Sequence, residues 1–209
     1  MKLTEEQIDK IDLILDKLGL DFLDFKLEIK DHVACEVEEE METNQSDFNS
    51  AFILVLERWE SKLVLSESLF ISNKRSFPKI VLNQLFKRFL IYNITLVVSF
   101  LLGILTYINF LKDFEKELLF TNSFKWIFVF CFIIFSILKI IIYSKKLKTS
   151  YSYMFNQNFW LLTIYFVFVF LWNSSFMNFF SFSLLIAVSP FLIYSFYKHQ
   201  HFIKKYHLA

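Results

Sequence analysis

The side chains with most chemical potential crowd into one short stretch. Glu28, His32 and Glu36 recur at every fourth position, and Cys35 stands three residues after His32. On a helix these share one side, where imidazole, thiolate and carboxylate are all metal-ligand types. The set lacks a second histidine and a second cysteine, and acidic helices produce such triples by chance. The expectation is therefore an acidic helix edge with His32 oriented by Asp31, Glu28 or a backbone group. Carboxylates nearby would hold an imidazolium charge near neutrality, which leaves pH sensing as an alternative. Asp31, His32, Glu36, Glu38 and Glu39 are the candidate interaction residues, on a face that is either simply solvated or docks a basic partner. No catalytic residue, metal or cofactor is assigned.

Other chemistry is scarce. Two Gly cannot build phosphate-cradling loops, and two Cys cannot build a disulfide scaffold or a four-cysteine zinc site. Cys131 lies among Phe and Ile and reads as inert packing. His199, His201 and His207 are spaced two and six apart, so they do not share a helical face; with Lys198, Lys204 and Lys205 they read as a basic interfacial tail. Nothing resembles a base-reading module, and nucleic acid is excluded as a partner because the acidic half would repel it.

The elements that position these residues divide by charge. Residues 1–70 hold 7 Lys/Arg against 18 Asp/Glu, a net −11, while residues 71–209 hold 15 against 3, a net +12. The overall charge of +1 averages two segments suited to different solvents. The start, Met1-Lys2-Leu3-Thr4-Glu5-Glu6-Gln7, is acidic and polar, so no secretory leader is expected there. Thr4 and Gln7 have capping-box spacing, Ile8, Ile11, Leu15 and Leu18 follow at helical intervals, and Gly19 is a left-handed stop; the spacing predicts a helix over 5–18. Phe22, Phe25, Ile29, Val33, Val37 and Met41 predict a second helix over 21–42. Ser46 is the expected cap of a third, with Phe48, Phe52, Val55, Leu56 and Trp59 on its apolar side and a continuation or restart through 63–70.

Asp31-His32, then Val33-Ala34-Cys35-Glu36-Val37-Glu38, then Phe48, Ala51-Phe52 and Trp59, carry a family resemblance. The segment 4–65 resembles the acidic helical prefix domains of uncharacterised bacterial membrane proteins of the Bacteroidetes type. Such domains are similar to those paired with transcriptional regulators or fused ahead of transporter permeases. Asn44 and Gln45 stand where such domains commonly have a Gly-rich turn. The resemblance implies a signalling or adaptor role and no catalytic residue.

The rest of the chain reads as membrane. Residues 71–88 form a basic amphipathic juxtamembrane segment (Lys74, Arg75, Lys79, Lys87, Arg88), either an interfacial helix or the stem of the first span; Pro78 suits a helix start. Spans are expected at about 89–110, 124–143, 159–176 and 180–197, followed by a tail over 199–209. The stretch 159–197 has no charge and is too long for one crossing, so a turn is placed near Asn173-Ser174-Ser175, with Asn178, Ser181 and Ser183 as alternatives. Lys139 is expected to snorkel from the end of span two. Cations gather before span one, at 145–148 and in the tail, which predicts an inner-membrane multi-pass protein with both termini cytoplasmic. Within these spans no Asp, Glu, His or Arg occurs, which argues against pumps and intramembrane proteases. Thr95, Ser99, Gly103 and Thr106 form a small-residue stripe for helix packing, within the chain or at a homo-oligomer or partner seam. Pro190 is expected to kink span four, with Ser189 satisfying the freed carbonyl.

The fold class is thus all-α, with a small cytoplasmic helical domain ahead of a four-helix transmembrane domain. The functional expectation is a non-enzymatic regulatory or interaction protein; the alternative is an accessory subunit of a transporter or export complex. The acidic segment could also fold back onto the cations at 74–88, 145–148 and 198–205, which predicts salt-sensitive docking.

Overall fold

The computed structural model describes residues 2–68, 76–110, 114–171 and 175–206, apart from the side chains of 106, 107, 110, 114–122, 175–177 and 179. The described helices are α1 (Glu5–Lys17), α2 (Leu23–Asn44), α3 (Phe48–Leu63), α4 (Lys79–Phe110), α5 (Phe114–Ser144), α6 (Ser150–Leu171) and α7 (Ser175–Lys205); a short ladder joins β1 (Leu65–Ser66) to β2 (Phe77–Pro78). The fold is all-α. Two compact units emerge: Met1–Phe89 with Lys148–Ser150, and Leu90–Leu147 with Tyr151–Ala209.

The first unit follows from local rules. The Thr4 hydroxyl accepts from the Gln7 N–H at 3.4 Å, and the Gln7 side chain accepts from the Thr4 N–H at 2.8 Å, closing the capping box of α1. Gly19 then turns the chain at φ +82°, and a Cβ there would lie 3.2 Å from Leu65 Cδ2. On α2, Phe25, Ile29, Val33, Val37 and Met41 are all buried, as the three-and-four spacing requires. This stripe packs α2 against both α1 and α3. Helix α2 closes on Gln45 at φ 48°, a left-handed position that favours glycine. Gln45→Gly is therefore expected to stabilise the unit by about 1 kcal/mol, read as slower hydrogen exchange of the α2 amides.

Two local expectations are corrected. The cap of α3 is Asp47 and not Ser46. Asp47 is extended (φ −72°, ψ 162°), and its carboxylate accepts from the Asn49 N–H at 3.1 Å and from the Ser50 hydroxyl at 2.5 Å. Ser46 sits one residue too early for that geometry. Helix α3 also stops at Leu63, and residues 64–68 are not helical; residues 69 and 70 lie outside the described residues. Val64 turns extended (φ −55°, ψ 130°), and Leu65 and Ser66 pair antiparallel with Pro78 and Phe77. Pro78 thus ends a strand immediately before α4. Phe77 stacks on Phe22 with centroids 5.3 Å apart, and Val81 and Leu85 on the first turns of α4 are buried. Residues 79–88 of the basic segment are therefore the first part of α4, with Val81 and Leu85 in the core of this unit; Lys74 and Arg75 lie outside the described residues.

In the second unit, helices solve the backbone problem that a bilayer poses, because every amide is bonded within its own segment. Four helices are long and apolar enough to cross a membrane: Lys79–Leu105, Ser123–Ser144, Ser150–Leu171 and Phe180–Lys205. The third begins at Ser150, earlier than the expected 159, because the Ser, Tyr, Asn and Gln residues of 150–158 are helical despite diluting the apolar pattern. The fourth runs to Lys205, past the expected end at 197, so it contains His199, which is fully buried, and Ile203, which is nearly so. His199 and Arg88 thus lie on helices that extend past the expected spans of 180–197 and 89–110. Asn178, Ser181 and Ser183 are helical in α7, which removes them as turn positions; Asn173 and Ser174 lie outside the described residues.

Aromatic rings fill the interior of this unit. Phe132 stacks on Phe166 at 4.2 Å, Phe124 meets Phe182 edge-on at 5.3 Å, and Phe100 meets Phe180 edge-on at 4.8 Å. Outward, Val97, Leu102, Phe130, Ile140 and Leu171 are exposed, an arrangement that costs free energy in water and none in lipid. Trp126, Tyr143, Trp160, Tyr194 and Tyr197 are also exposed, as belt residues must be. The Lys139 ammonium lies over the rings of Phe159 (4.4 Å) and Trp160 (5.0 Å), a cation–π seat. Ser189 donates to the Leu185 carbonyl at 2.6 Å. The carbonyl that Pro190 deprives of a donor is that of Ile186, so Ser189 serves its neighbour instead.

Candidate interaction surface

Helix α2 carries the candidate acids, and the structure separates them by task. Asp31, His32, Cys35 and Glu39 are exposed. Glu36 accepts from the Trp59 indole N–H at 3.0 Å, tying α2 to α3. Glu38 accepts from the Leu3 N–H at 2.9 Å, tying down the chain ahead of α1. Glu40 takes an ion pair from Arg58 at 2.7 Å and a hydrogen bond from Asn44. The acidic end of α2 is thus partly consumed by the fold, and of the candidate residues Asp31, His32 and Glu39 are left exposed. Among the described residues no group of three or more His, Cys, Asp or Glu is placed to hold a metal ion.

Another part of α2 meets α1 through charge. Lys26 contacts Asp12 at 2.6 Å and Asp16 at 2.8 Å, and Lys30 reaches Asp12 at 3.3 Å. Lys26 is only 12% exposed and Asp12 31%, so screening is incomplete. Burial pushes the Asp12 carboxyl up, but hydrogen bonds and charge from Lys26 and Lys30 outweigh it and leave the pKa below its ordinary 3.8. Burial pulls Lys26 down, but its bonds to Asp12 and Asp16 outweigh it and leave the pKa above 10.5. The Asp12 contribution is therefore complete above pH 3.8 and is lost as pH falls through the lowered value. The Lys26 contribution is complete below pH 10.5 and is lost as pH rises through the raised value. Asp12→Asn is expected to cost roughly 1–2 kcal/mol at neutral pH. Paired thermal melts should show wild type and variant converging as the medium is acidified below that range.

The structure also assembles a cluster that the sequence pattern does not announce. Asp24 accepts from the Ser150 N–H at 2.7 Å and from the Ser150 hydroxyl. Arg88 donates to the same hydroxyl at 2.7 Å, and its guanidinium lies 5.2 Å from the centre of the Phe25 ring. The Leu23 N–H donates to the Lys148 carbonyl at 2.9 Å, and Thr149 and Ser150 are fully buried. Residues 148–150 are thus held by hydrogen bonds of defined geometry, a more specific attachment than the diffuse attraction of opposite charges. Ser150 is the first helical residue of an uncharged stretch in which Ser, Tyr, Asn and Gln dilute the apolar pattern, so no local signal singles it out.

The small-residue stripe of span one is placed as follows. The Ser99 carbonyl accepts from the Ser183 hydroxyl, and Tyr92 meets Phe191 edge-on at 5.1 Å, so part of the stripe faces α7. The Thr95 hydroxyl donates to its own helix at the Ile91 carbonyl, 2.9 Å away. Gly103 is half-buried, and the Thr106 side chain lies outside the described residues.

These elements, three short helices followed by four apolar ones, fit a multi-pass integral membrane protein. Compared with protein-family models, with curated proteins and with solved structures, the chain matches none.

Proposed function

We propose that this is a non-enzymatic protein of the bacterial inner membrane, with both termini in the cytoplasm. Its acidic N-terminal helices form a regulatory module that binds a protein partner, and the four spans anchor it. The observation that carries this reading is the division of charge along the sequence: residues 1–70, of net −11, form three helices that leave Asp31, His32 and Glu39 exposed, and residues 71–209, of net +12, carry the four apolar helices. The resemblance of residues 4–65 to bacterial prefix domains points the same way. A photo-crosslinking side chain at Glu39 of the full-length protein in its own membranes should yield one discrete protein adduct, lost on Asp31→Lys. Absence of any adduct from this unit would remove the reading. A reporter fused after Ala209 should behave as cytoplasmic; an external reporter would overturn the orientation.

One observation favours a second reading, an accessory subunit of a transporter or export complex. Span one is 6% buried within the chain, against 44% for span four. An apolar helix so little covered has room for another protein's helix as well as for lipid. Co-migration of the gently solubilised chain with a transport protein on native gels would favour this reading over the first.

A further inference from the structure

Helices α1 and α3 wall an open groove of about 850 Å³ on the first unit. Ile14 and Leu18 line it from α1, and Ile53, Leu56 and Leu63 from α3. Ile53 is 57% exposed, and Val64 and Leu65 at the groove's end are also exposed. Leu63 is buried at the groove's floor and Ile14, Leu18 and Leu56 are half-buried, so the apolar surface left open is that of Ile53, Val64 and Leu65 with the outer sides of the half-buried residues. Glu57 and Glu60 border the groove along α3, Lys17 borders it from α1, and neither glutamate makes an ion pair among the described residues.

We infer that this groove seats a cationic amphipathic helix of another protein. The apolar floor asks for an apolar stripe. The α3 wall runs from Ile53 to Leu63, about 15 Å at helical rise, which suits roughly ten residues of helix. Charge decides between occupants. An anionic lipid surface would meet Glu57, Glu60 and a segment of net −11, and would be repelled. A second copy of the groove would set the same acids against each other. The basic amphipathic segment of this chain is already committed, because Val81 and Leu85 are buried in its own unit. A separate helix with Lys or Arg flanking its apolar stripe on the α3 side satisfies both the floor and the border. The inference rests on the reading of the first unit as a cytoplasmic interaction module, and it adds a second contact of that partner, apart from Asp31, His32 and Glu39, and the chemistry it carries.

The test uses the full-length protein in nanodiscs of zwitterionic lipid, with empty discs as the blank. The probe is a synthetic fourteen-residue helix with Leu at i, i+3, i+4 and i+7 and Lys at the flanking positions. It should bind at one site. A peptide of the same composition with scrambled Leu positions should bind at least tenfold more weakly, and one with Glu in place of Lys should not bind. Ile53→Lys and the pair Glu57→Lys with Glu60→Lys should each weaken binding at least tenfold. Since all three residues are exposed, unchanged thermal melts should accompany the loss. Equal binding of the scrambled peptide, or insensitivity to Ile53→Lys, would overturn the groove. So would binding of anionic vesicles to the detergent-solubilised full chain that competes with the peptide. In cells, a photo-crosslinked adduct at Glu39 that survives Ile53→Lys would also overturn the groove while leaving the interaction module standing. Loss of adducts from both Glu39 and Ser61 probes in the wild type would overturn both.

Discussion

Phe25→Ala is expected to unfold the N-terminal unit while the four long helices remain intact. The ring is fully enclosed at the start of the α2 stripe, edge-on to Phe22 at 6.3 Å and beneath the Arg88 guanidinium at 5.2 Å. Truncation removes the transfer free energy and leaves a cavity, together about 3–5 kcal/mol, and forfeits a cation–π contact of about 0.5–2 kcal/mol. A unit of this size has little reserve against such a loss. Hydrogen exchange of the full-length protein should show α1–α3 amides losing protection to the level of a common opening reaction, with α5–α7 amides unchanged. Phe25→Leu keeps most of the volume and should cost about 1–1.5 kcal/mol, leaving the unit folded. Loss of protection in α5–α7 as well would mean that the two units share one unfolding reaction.

What could be read from the sequence was local or periodic. The Thr4–Gln7 capping box needs only a spacing of three, and the α2 stripe needs only its own repeat; both are as expected. The four apolar helices followed from length and hydropathy. What could not be read came from competition between neighbours or from distance along the chain. Ser46 and Asp47 are both good caps, and only the extended backbone at Asp47 decides between them. Span four reads as ending at 197 because Lys198 breaks the apolar run, whereas the helix continues to Lys205 with His199 and Ile203 buried. Glu36 and Glu38 read as surface acids, but Trp59 and the Leu3 amide take them up from other segments. The α1–α3 groove arises from the spacing of two helices that both pack on α2, which no pattern within either helix encodes.

Asp24→Ala is expected to free residues 148–150, at a cost of about 2–3 kcal/mol. The Ser150 N–H opens α6, so it has no partner within its own helix, and it is buried. A carboxylate is the best group to meet it there, because it accepts the bond and opposes the positive end of the helix dipole. Alanine leaves that donor unsatisfied and strips the Ser150 hydroxyl of one of its two partners, Arg88 being the other. Asp24→Asn keeps an acceptor for the N–H and should cost about half as much. Ser150→Ala keeps the N–H bond to Asp24 and should fall in the same range. Amide exchange at Ser150 reads the difference directly, since each 1.4 kcal/mol is about a tenfold change in the opening equilibrium. Asp21→Ala is the decisive control. Asp21 carries the same charge three residues away but is exposed, so its removal should change stability by less than about 0.5 kcal/mol. If the two substitutions proved equal, or if the Asp24 effect vanished at high salt, attachment of 148–150 would be a matter of net charge. A difference that persists at high salt assigns it to the geometry of the half-buried carboxylate on the buried Ser150, because such contacts are screened less than exposed ones.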